Sequence, residues 1–292
     1  METPKIIAEI GGNHKGDMSI AKEMIATAAL YCKADVVKFQ KRNNKELLSK
    51  TEYNAPHPNP VNSYGDTYGA HREFLEFDLD QHKQLKAWCE EYGTIYSTSV
   101  WDVTSAKEIA SINPSLIKIP SACNLNKAML DCLCKNYGGE IHLSFGMTTQ
   151  EEEEQIVSFF EEKRRAKDVV LYSCTSGYPV PFEDICLLEI SRMKNAFERR
   201  VKSIGFSGHH LGIAVDVAAV ALGAEWLERH FTLDRTWKGT DHAASLEPDG
   251  MRKLVRDCKA VAQALTHKSS EILNIESIQR NKLKKNQVRW DG

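Results

Sequence analysis

Residues able to do chemistry recur where eight short apolar runs of the chain end. These runs predict strands over residues 5–10, 34–39, 94–99, 116–120, 141–145, 169–174, 202–206 and 225–231. The polar residues at or just after their ends are Glu9, Lys38 with Gln40, Thr98 with Ser99, Lys118 with Ser121, Ser144, Thr175 with Tyr178, Ser207 with His209, and His230. Each of them alone has an ordinary explanation, such as a surface lysine that extends its amine into water. Polar or charged residues at all eight strand ends instead indicate one shared site.

Two lysines and four hydroxyls converge from the second to the seventh of these strands. Lys38 and Lys118 supply point charge, and serine or threonine hydroxyls donate hydrogen bonds. This combination favours a pocket for a compact dianion. We interpret the dianion as a phosphate.

Two histidines, His209 and His230, end the seventh and eighth strands. Neighbouring strands of a sheet lie about 4.8 Å apart, so the two imidazoles could share one divalent cation. A lone histidine is more often a polar group satisfied within the protein than a metal ligand, and that alternative stays open. Two histidines with an acid or water would suit Mn²⁺, Co²⁺ or Fe²⁺ as a Lewis acid better than a structural Zn²⁺ site with four ligands.

The predicted strands alternate with amphipathic helical segments, the pattern of parallel βα units. Eight such units in about 265 residues predict a (β/α)8 TIM barrel, here over residues 1–268, because the strand ends then form one functional face. A doubly wound open sheet is the alternative, but no GxGxxG loop follows the first strand. Residues 41–79 form a connection long enough to be functional and are expected to cover one barrel end. Residues 269–292 are predicted to be a short polar C-terminal extension.

The composition is that of a globular protein and excludes several classes of function. Of 292 residues, 38 are Lys or Arg and 40 are Asp or Glu, a formal net charge of -2 that predicts neither a nucleic-acid nor a membrane partner. Eight cysteines are scattered without a CxxC pair. With neither a membrane-length apolar stretch nor a secretory leader in this sequence, the expectation is a cytoplasmic protein.

Six motifs resemble those of the sialic acid synthase family. They are AEIGGNHKGD at 8–17, VVKFQK at 36–41, CTSGYP at 174–179, FSGHHLG at 206–212, LERHFTLD at 227–234 and WKGTDHAASLEP at 237–248, and the stretch 205–248 is most similar to animal-type members. The resemblance implies condensation of phosphoenolpyruvate with an open-chain hexosamine aldehyde, N-acetylmannosamine or its 6-phosphate. The products would be a nonulosonate and phosphate. It also implies a divalent cofactor, with Mn²⁺ preferred over Mg²⁺ or Co²⁺, and a homo-oligomer is expected.

The family's functional residues carry over to individual positions of this chain. The metal ligands fall on His209 and His230. Phosphoenolpyruvate contacts fall on Lys38, Ser99, Lys118, Ser121, Ser144 and Ser207, and sugar contacts fall on Glu9, Gln40, Tyr178 and Asp241. Lys38, Lys118, Glu9 and Asp241 would be catalytic. Whether Glu9 or Asp241 manages protons or sugar hydroxyls stays open.

Three departures from the family pattern bear on the substrate. Gly208 stands where many bacterial members have Asp, and Cys123 stands where many have a sugar-binding acid. The chain ends after a basic segment where most members continue into an antifreeze-like domain, so only the catalytic barrel is expected here. Another aldose, such as mannose 6-phosphate or an unacylated or diacetamido sugar, is the alternative substrate. A non-catalytic sugar-phosphate-binding barrel is the alternative from another functional class.

Overall fold

A closed barrel of parallel strands forms the centre of the molecule and confirms the predicted (β/α)8 fold. The computed structural model describes residues 3–285. Every strand pairs in parallel with the next, and the last pairs with the first, from Lys5↔Trp226 to Glu9↔His230. The strands are Lys5–Glu9 (β1), Val36–Lys41 (β2), Ile95–Val100 (β3), Leu116–Ile119 (β4), Glu140–Ser144 (β5), Val169–Cys174 (β6), Ser203–Gly208 (β7) and Trp226–His230 (β8).

Helices lie between the strands and after the last one. They are Met18–Ala26 (α1), Asn44–Leu47 (α2), Lys50–Asn54 (α3), Tyr68–Leu75 (α4), Leu79–Glu91 (α5), Val103–Ser111 (α6), Lys127–Asn136 (α7), Gln150–Glu162 (α8), Glu189–Phe197 (α9), Ala214–Ala221 (α10), Pro248–Ala264 (α11) and Asn274–Leu283 (α12). Within residues 3–285, none of them combines the length and the apolar character needed to cross a membrane.

Side chains alternate along each strand between the barrel interior and the surrounding helices. On the outer side, Ile6 and Ala8 of β1 pack with Met24 and Ile25 of α1. On the inner side, apolar residues near the strand starts form a separate buried cluster of Ile7, Val36, Leu116, Val170, Tyr172 and Trp226. The next inward position of β1, β2, β4 and β8 carries a charged residue, so each of these strands runs from an apolar end into a polar one.

Aromatic side chains fill the barrel interior at the end where the strands begin. The His142 ring meets the Trp226 ring edge-on, with centroids 4.6 Å apart and planes at 87°. Its Nδ1 lies 2.7 Å from the Tyr172 hydroxyl. All three residues are buried, so this end of the barrel is a packed core.

Residues 41–79 contain helices α2, α3 and α4 rather than an irregular loop. Asp102 at the start of α6 accepts a hydrogen bond from the Asn43 backbone N–H at 2.7 Å. At the other end of the segment, Glu76 Oε2 accepts one from the Arg42 backbone N–H at 2.9 Å. These contacts anchor both ends of the segment to the barrel rim.

The connection between β6 and β7 is helical only in part. A 3₁₀ turn covers Phe182–Asp184, and α9 begins at Glu189. Cys186 lies between them with φ at 52°, in the left-handed region that interrupts a helix.

The C-terminal extension is helical where the structure describes it. Helix α12 exposes Ile275 and Ile278 among polar residues. Residues 286–292 of the predicted extension lie outside the described residues. The division into a barrel over 1–268 and a tail over 269–292 stays a prediction.

Two buried histidines, one in the loop after β1 and one in α5, predict that acid will destabilise the fold. His14 and His82 are buried, and burial lowers the pKa of each to about 3. Because both are neutral when folded but gain a proton below about pH 6.5 when unfolded, their contribution is complete above that pH and is lost as the pH falls toward 3. Each histidine should lower the free energy of unfolding by up to about 1.4 kcal/mol per pH unit between about pH 6.5 and 3. Urea unfolding at pH 7.5, 5.5 and 4.5 measures this loss of stability. His82→Gln should make the unfolding free energy fall less steeply with decreasing pH. An unfolding free energy that does not change between pH 7.5 and 4.5 would contradict this assignment.

Candidate active site

A cavity of about 470 Å³ opens where the strands end. Its lining brings together every site residue that the sequence analysis selected: Glu9, Lys38, Gln40, Ser99, Lys118, Ser121, Ser144, Tyr178, Ser207, His209, His230 and Asp241. Two other strand-end residues have structural contacts instead. The Thr98 hydroxyl donates to the Tyr96 hydroxyl at 2.5 Å, and the Thr175 hydroxyl donates to the Asp184 carbonyl at 2.9 Å.

Two lysine–carboxylate pairs form the floor of the cavity. Lys38 Nζ lies 2.6 Å from Glu9 Oε2 and donates to Ser99 Oγ at 2.5 Å. Lys118 Nζ donates to both oxygens of Glu228 at 2.9 and 3.0 Å. Lys38 Nζ is also 3.5 Å from Glu228 Oε2, which links the two pairs into one buried network. The lysine charges at the predicted phosphate pocket are therefore balanced by carboxylates.

Glu228 is the residue of this floor that sequence reasoning missed. Burial opposes its ionisation, but the adjacent Lys118 and Lys38 charges hold the pKa of the carboxyl well below its usual range. Its Oε1 also accepts a hydrogen bond from the Ser207 hydroxyl at 3.1 Å. The signal was present in the sequence, because Glu228 is two residues before His230 on β8 and must face the same side of the sheet.

Serine hydroxyls form one wall above this floor. Ser144 Oγ is buried and has no hydrogen-bond partner within residues 3–285. Ser121 Oγ accepts from the Gly146 backbone N–H at 3.0 Å, which leaves its own proton to donate. A β-carbon at Gly146 would come within 2.6 Å of Ser121 Oγ and 2.4 Å of Ser176 Oγ, so only glycine allows this cradle. The wall therefore offers donors to an oxyanion.

The His209 and His230 rings lie side by side, with centroids 5.5 Å apart. His209 Nδ1 is 3.2 Å from the Thr175 carbonyl and donates to it, so the lone pair of this imidazole is on Nε2. Burial, together with the nearby His230, lowers the pKa of His209 to about 3, which keeps the ring neutral. His230 Nδ1 is buried without a hydrogen-bond partner in the described part of the chain.

Two adjacent imidazoles with unused nitrogens fit a divalent cation. No cluster of three or more His, Cys, Asp or Glu side chains suited to a metal occurs within residues 3–285. The protein would thus supply two ligands and leave the other coordination positions to water or substrate, the open arrangement of a catalytic metal.

The two substitutions noted in the sequence have different structural contexts. A β-carbon at Gly208 would come within 2.8 Å of His210 Cε1 and of Phe206 Cε1, so the packing here leaves no room for an Asp. Cys123 does not line the cavity described above. It packs in an apolar cluster with residues such as Val100 and Met129.

Three of the residues that the resemblance assigns to sugar contacts lie close together above the floor. Gln40 Nε2 donates to Glu9 Oε1 at 3.0 Å. Gly11 adopts φ of 55°, and a β-carbon there would lie 2.9 Å from Gln40 Nε2 and 3.5 Å from Asp241 Oδ2. The glycine therefore allows Glu9, Gln40 and Asp241 to approach one another. Their carboxylate and amide groups suit hydroxyl-rich ligands.

The segment 41–79 covers the cavity, as predicted. His57, Tyr64, Tyr68 and His71 contribute to the lining. The Tyr64 hydroxyl donates to the Lys238 carbonyl, which joins this segment to the loop after β8. Tyr64 also stacks on Phe74 with ring centroids 4.9 Å apart. We call this segment the lid, because it covers the cavity in the structure.

Comparison with known proteins places these features in a family context. The model of the NeuB family matches residues 24–270. N-acetylneuraminate-9-phosphate synthase of Mus musculus is 39% identical over 97% of this chain and 77% of its own length. N,N'-diacetyllegionaminic acid synthase of Campylobacter jejuni is 31% identical over 99% of this chain and 87% of its own length.

A solved relative has the same fold over most of its length. The crystal structure of N-acetylneuraminic acid synthetase from Leptospira borgpetersenii, in complex with citrate, superposes with a TM-score of 0.82 at 30% identity. The match covers 98% of this chain and 94% of that one.

Proposed function

The chain belongs to the NeuB family, and from this premise we propose that it condenses phosphoenolpyruvate with an open-chain hexosamine aldehyde to give a sialic-acid-type nonulosonate and phosphate. The observation that carries the proposal is the cavity itself. A buried lysine–carboxylate floor and a serine wall adjoin two imidazoles in one space. The cavity thus combines a binding site for an anionic substrate with an adjacent binding site for a Lewis-acidic metal ion.

The reaction joins C3 of phosphoenolpyruvate to the aldehyde carbon of the sugar. Water adds at C2, and the bond from C2 to the phosphate oxygen then breaks, which releases phosphate and leaves a 2-keto acid. A divalent ion held by the His209 and His230 imidazoles would supply polarisation of the aldehyde oxygen. We assign Mn²⁺ to this role, with Mg²⁺ or Co²⁺ as alternatives.

The side chains of this protein bind and orient the reactants. Lys38 and Lys118 hold the phosphate and carboxylate of phosphoenolpyruvate through charge-assisted hydrogen bonds. Ser99, Ser121 and Ser144 donate to the same oxygens, and Ser207 contacts them by turning its hydroxyl proton away from Glu228 when the substrate binds. Glu9 or Asp241 accepts a proton from water or a sugar hydroxyl, and Gln40 and Tyr178 hold the sugar.

The identity of the sugar is a finer part of the proposal. N-acetylmannosamine or its 6-phosphate is the first choice, because the synthases from Mus musculus and Leptospira borgpetersenii are named for N-acetylneuraminate products. A diacetamido sugar is the alternative, supported by the relative from Campylobacter jejuni that is named for diacetyllegionaminic acid. Incubating the protein with phosphoenolpyruvate, Mn²⁺ and each aldose, and identifying the product by mass spectrometry, tests both. Failure with every aldose would favour a non-catalytic sugar-phosphate-binding barrel.

The lysines at the cavity floor give the proposal a quantitative test. Lys38→Met or Lys118→Met should lower kcat/KM for phosphoenolpyruvate at least about tenfold, the effect of losing one charge-assisted contact of roughly 1.5–3 kcal/mol. Initial rates of phosphate release measure it. Lys83→Met removes an exposed lysine from α5 and should leave the rate unchanged. Wild-type kinetics in both floor variants would remove these lysines from the site.

A further inference from the structure

Two arginines line the outer part of the cavity, where the proposed condensation needs no positive charge. Arg42 and Arg72 both contribute to its wall. The Arg42 guanidinium carbon lies 4.3 Å from the Trp101 ring centroid, and that of Arg72 lies 5.9 Å from it. Both guanidinium groups therefore lie near the same indole ring, since arginines stack on aromatic faces. Their positions in the sequence do not single out any of these three residues.

The carboxylates nearby balance only part of this charge. Glu76 pairs with Arg42, with Oε1 3.5 Å from Nη1. Arg72 donates to the Tyr68 hydroxyl at 3.0 Å from Nε and 2.5 Å from Nη2, and no carboxylate within residues 3–285 forms a salt bridge with it. Burial and the neighbouring Arg72 charge lower the pKa of Arg42. Two like charges held together in this way favour an anion between them.

Arg42 follows directly on β2 above the floor, and Arg72 reaches the same indole from α4. Lys38 and Gln40 face the same side of β2, and Arg42, one residue beyond the end of the strand, lines the same cavity. Each step of two residues rises about 6.6 Å along a parallel strand. The three levels are therefore the phosphoenolpyruvate floor, the sugar hydroxyls above it, and a cationic level above the sugar.

We propose that Arg42 and Arg72 form a subsite for a phosphate group carried by the acceptor sugar at the end remote from its aldehyde. The guanidinium fork matches phosphate oxygens in pairs, and Trp101 holds both guanidinium planes in place. The inference rests on the proposed condensation, because that reaction puts the sugar between Gln40 and the lid. It makes these two arginines the determinants of selectivity for a phosphorylated over an unphosphorylated aldose.

The ratio of kcat/KM for N-acetylmannosamine 6-phosphate to that for N-acetylmannosamine tests the subsite in the Mn²⁺-loaded full chain. Two charge-assisted hydrogen bonds predict a ratio of at least about 100 in the wild type. Arg72→Met should lower the ratio at least about tenfold through KM, and Arg72→Lys should restore part of it. Arg72 is chosen because Arg42 also pairs with buried Glu76. Arg256→Met, on the outer surface of α11, is the matched control for charge and should keep the wild-type ratio.

Binding of mannose 6-phosphate and of mannose, measured by calorimetry, separates this inference from the reaction itself. Tighter binding of the phosphate by at least about tenfold, lost in Arg72→Met, supports the subsite even if no aldose is condensed. A wild-type ratio near one, or the same ratio in Arg72→Met, overturns the subsite while turnover shows that the condensation stands. Equal binding of both sugars without turnover overturns it as well.

Discussion

Alanine in place of His209 or His230 is expected to reduce Mn²⁺-dependent kcat/KM by about a thousandfold, because a Lewis acid supplies several kcal/mol of charge stabilisation. Each imidazole is one of two that face the same space, with ring centroids 5.5 Å apart. One remaining nitrogen ligand should not retain the ion at micromolar concentration. Calorimetric titration with Mn²⁺ measures that loss independently of turnover.

The fold should survive either change, because both residues lie at the functional end of the barrel and not in its apolar layers. Circular dichroism and the thermal midpoint report on this. His267→Ala, at an exposed position beyond α11, is the matched control and should keep both Mn²⁺ affinity and rate. Full activity of His209→Ala or His230→Ala after removal of metal by EDTA would show that the pair has another role.

Glu228→Gln is expected to lower the free energy of unfolding at pH 7.5 by about 3 kcal/mol, because it removes one member of a buried ion pair and leaves the other charged. The carboxylate serves two lysines, at 2.9 Å from Lys118 and 3.5 Å from Lys38. A neutral amide retains the hydrogen bond to Ser207 but no longer offsets the repulsion between the two cations. Chemical denaturation of the unliganded protein measures the change.

An exposed pair of the same chemistry provides the comparison. Glu276 lies 2.7 Å from Lys268 near the start of α12, where water screens both charges. Glu276→Gln should therefore change the unfolding free energy by less than about 0.5 kcal/mol. Equal losses in the two variants would mean that burial of Glu228 adds nothing to its pairing.

The barrel was predictable because hydrophobic periodicity specifies each βα unit locally and closure follows from their number. Position along a strand also predicted which side chains would meet, since parallel strands bring their ends to one face. Glu9, Lys38 and His230 were found in this way. No tertiary information was needed for them.

Other features depend on contacts that periodicity does not encode. Residues 41–79 contain turn-forming residues together with short helices, and a helix such as Lys50–Asn54 is too short to show a hydrophobic repeat. Arg42 was missed because an arginine just beyond a strand usually points into solvent. Only the fold places Trp101 beneath it and Arg72 beside it.

The packed end of the barrel has a kinetic consequence. Trp226, His142 and Tyr172 close the interior where the strands begin, so reactants and products share one passage at the opposite end. Along β2, Lys38 lies deeper than Gln40, and the lid lies above both. A ligand seated over Gln40 would block the path to Lys38, so with the proposed site assignments we expect the two reactants to add in a compulsory order, with the phosphoenolpyruvate first. By the same geometry, we expect the released phosphate to leave the floor only after the nonulosonate has moved aside.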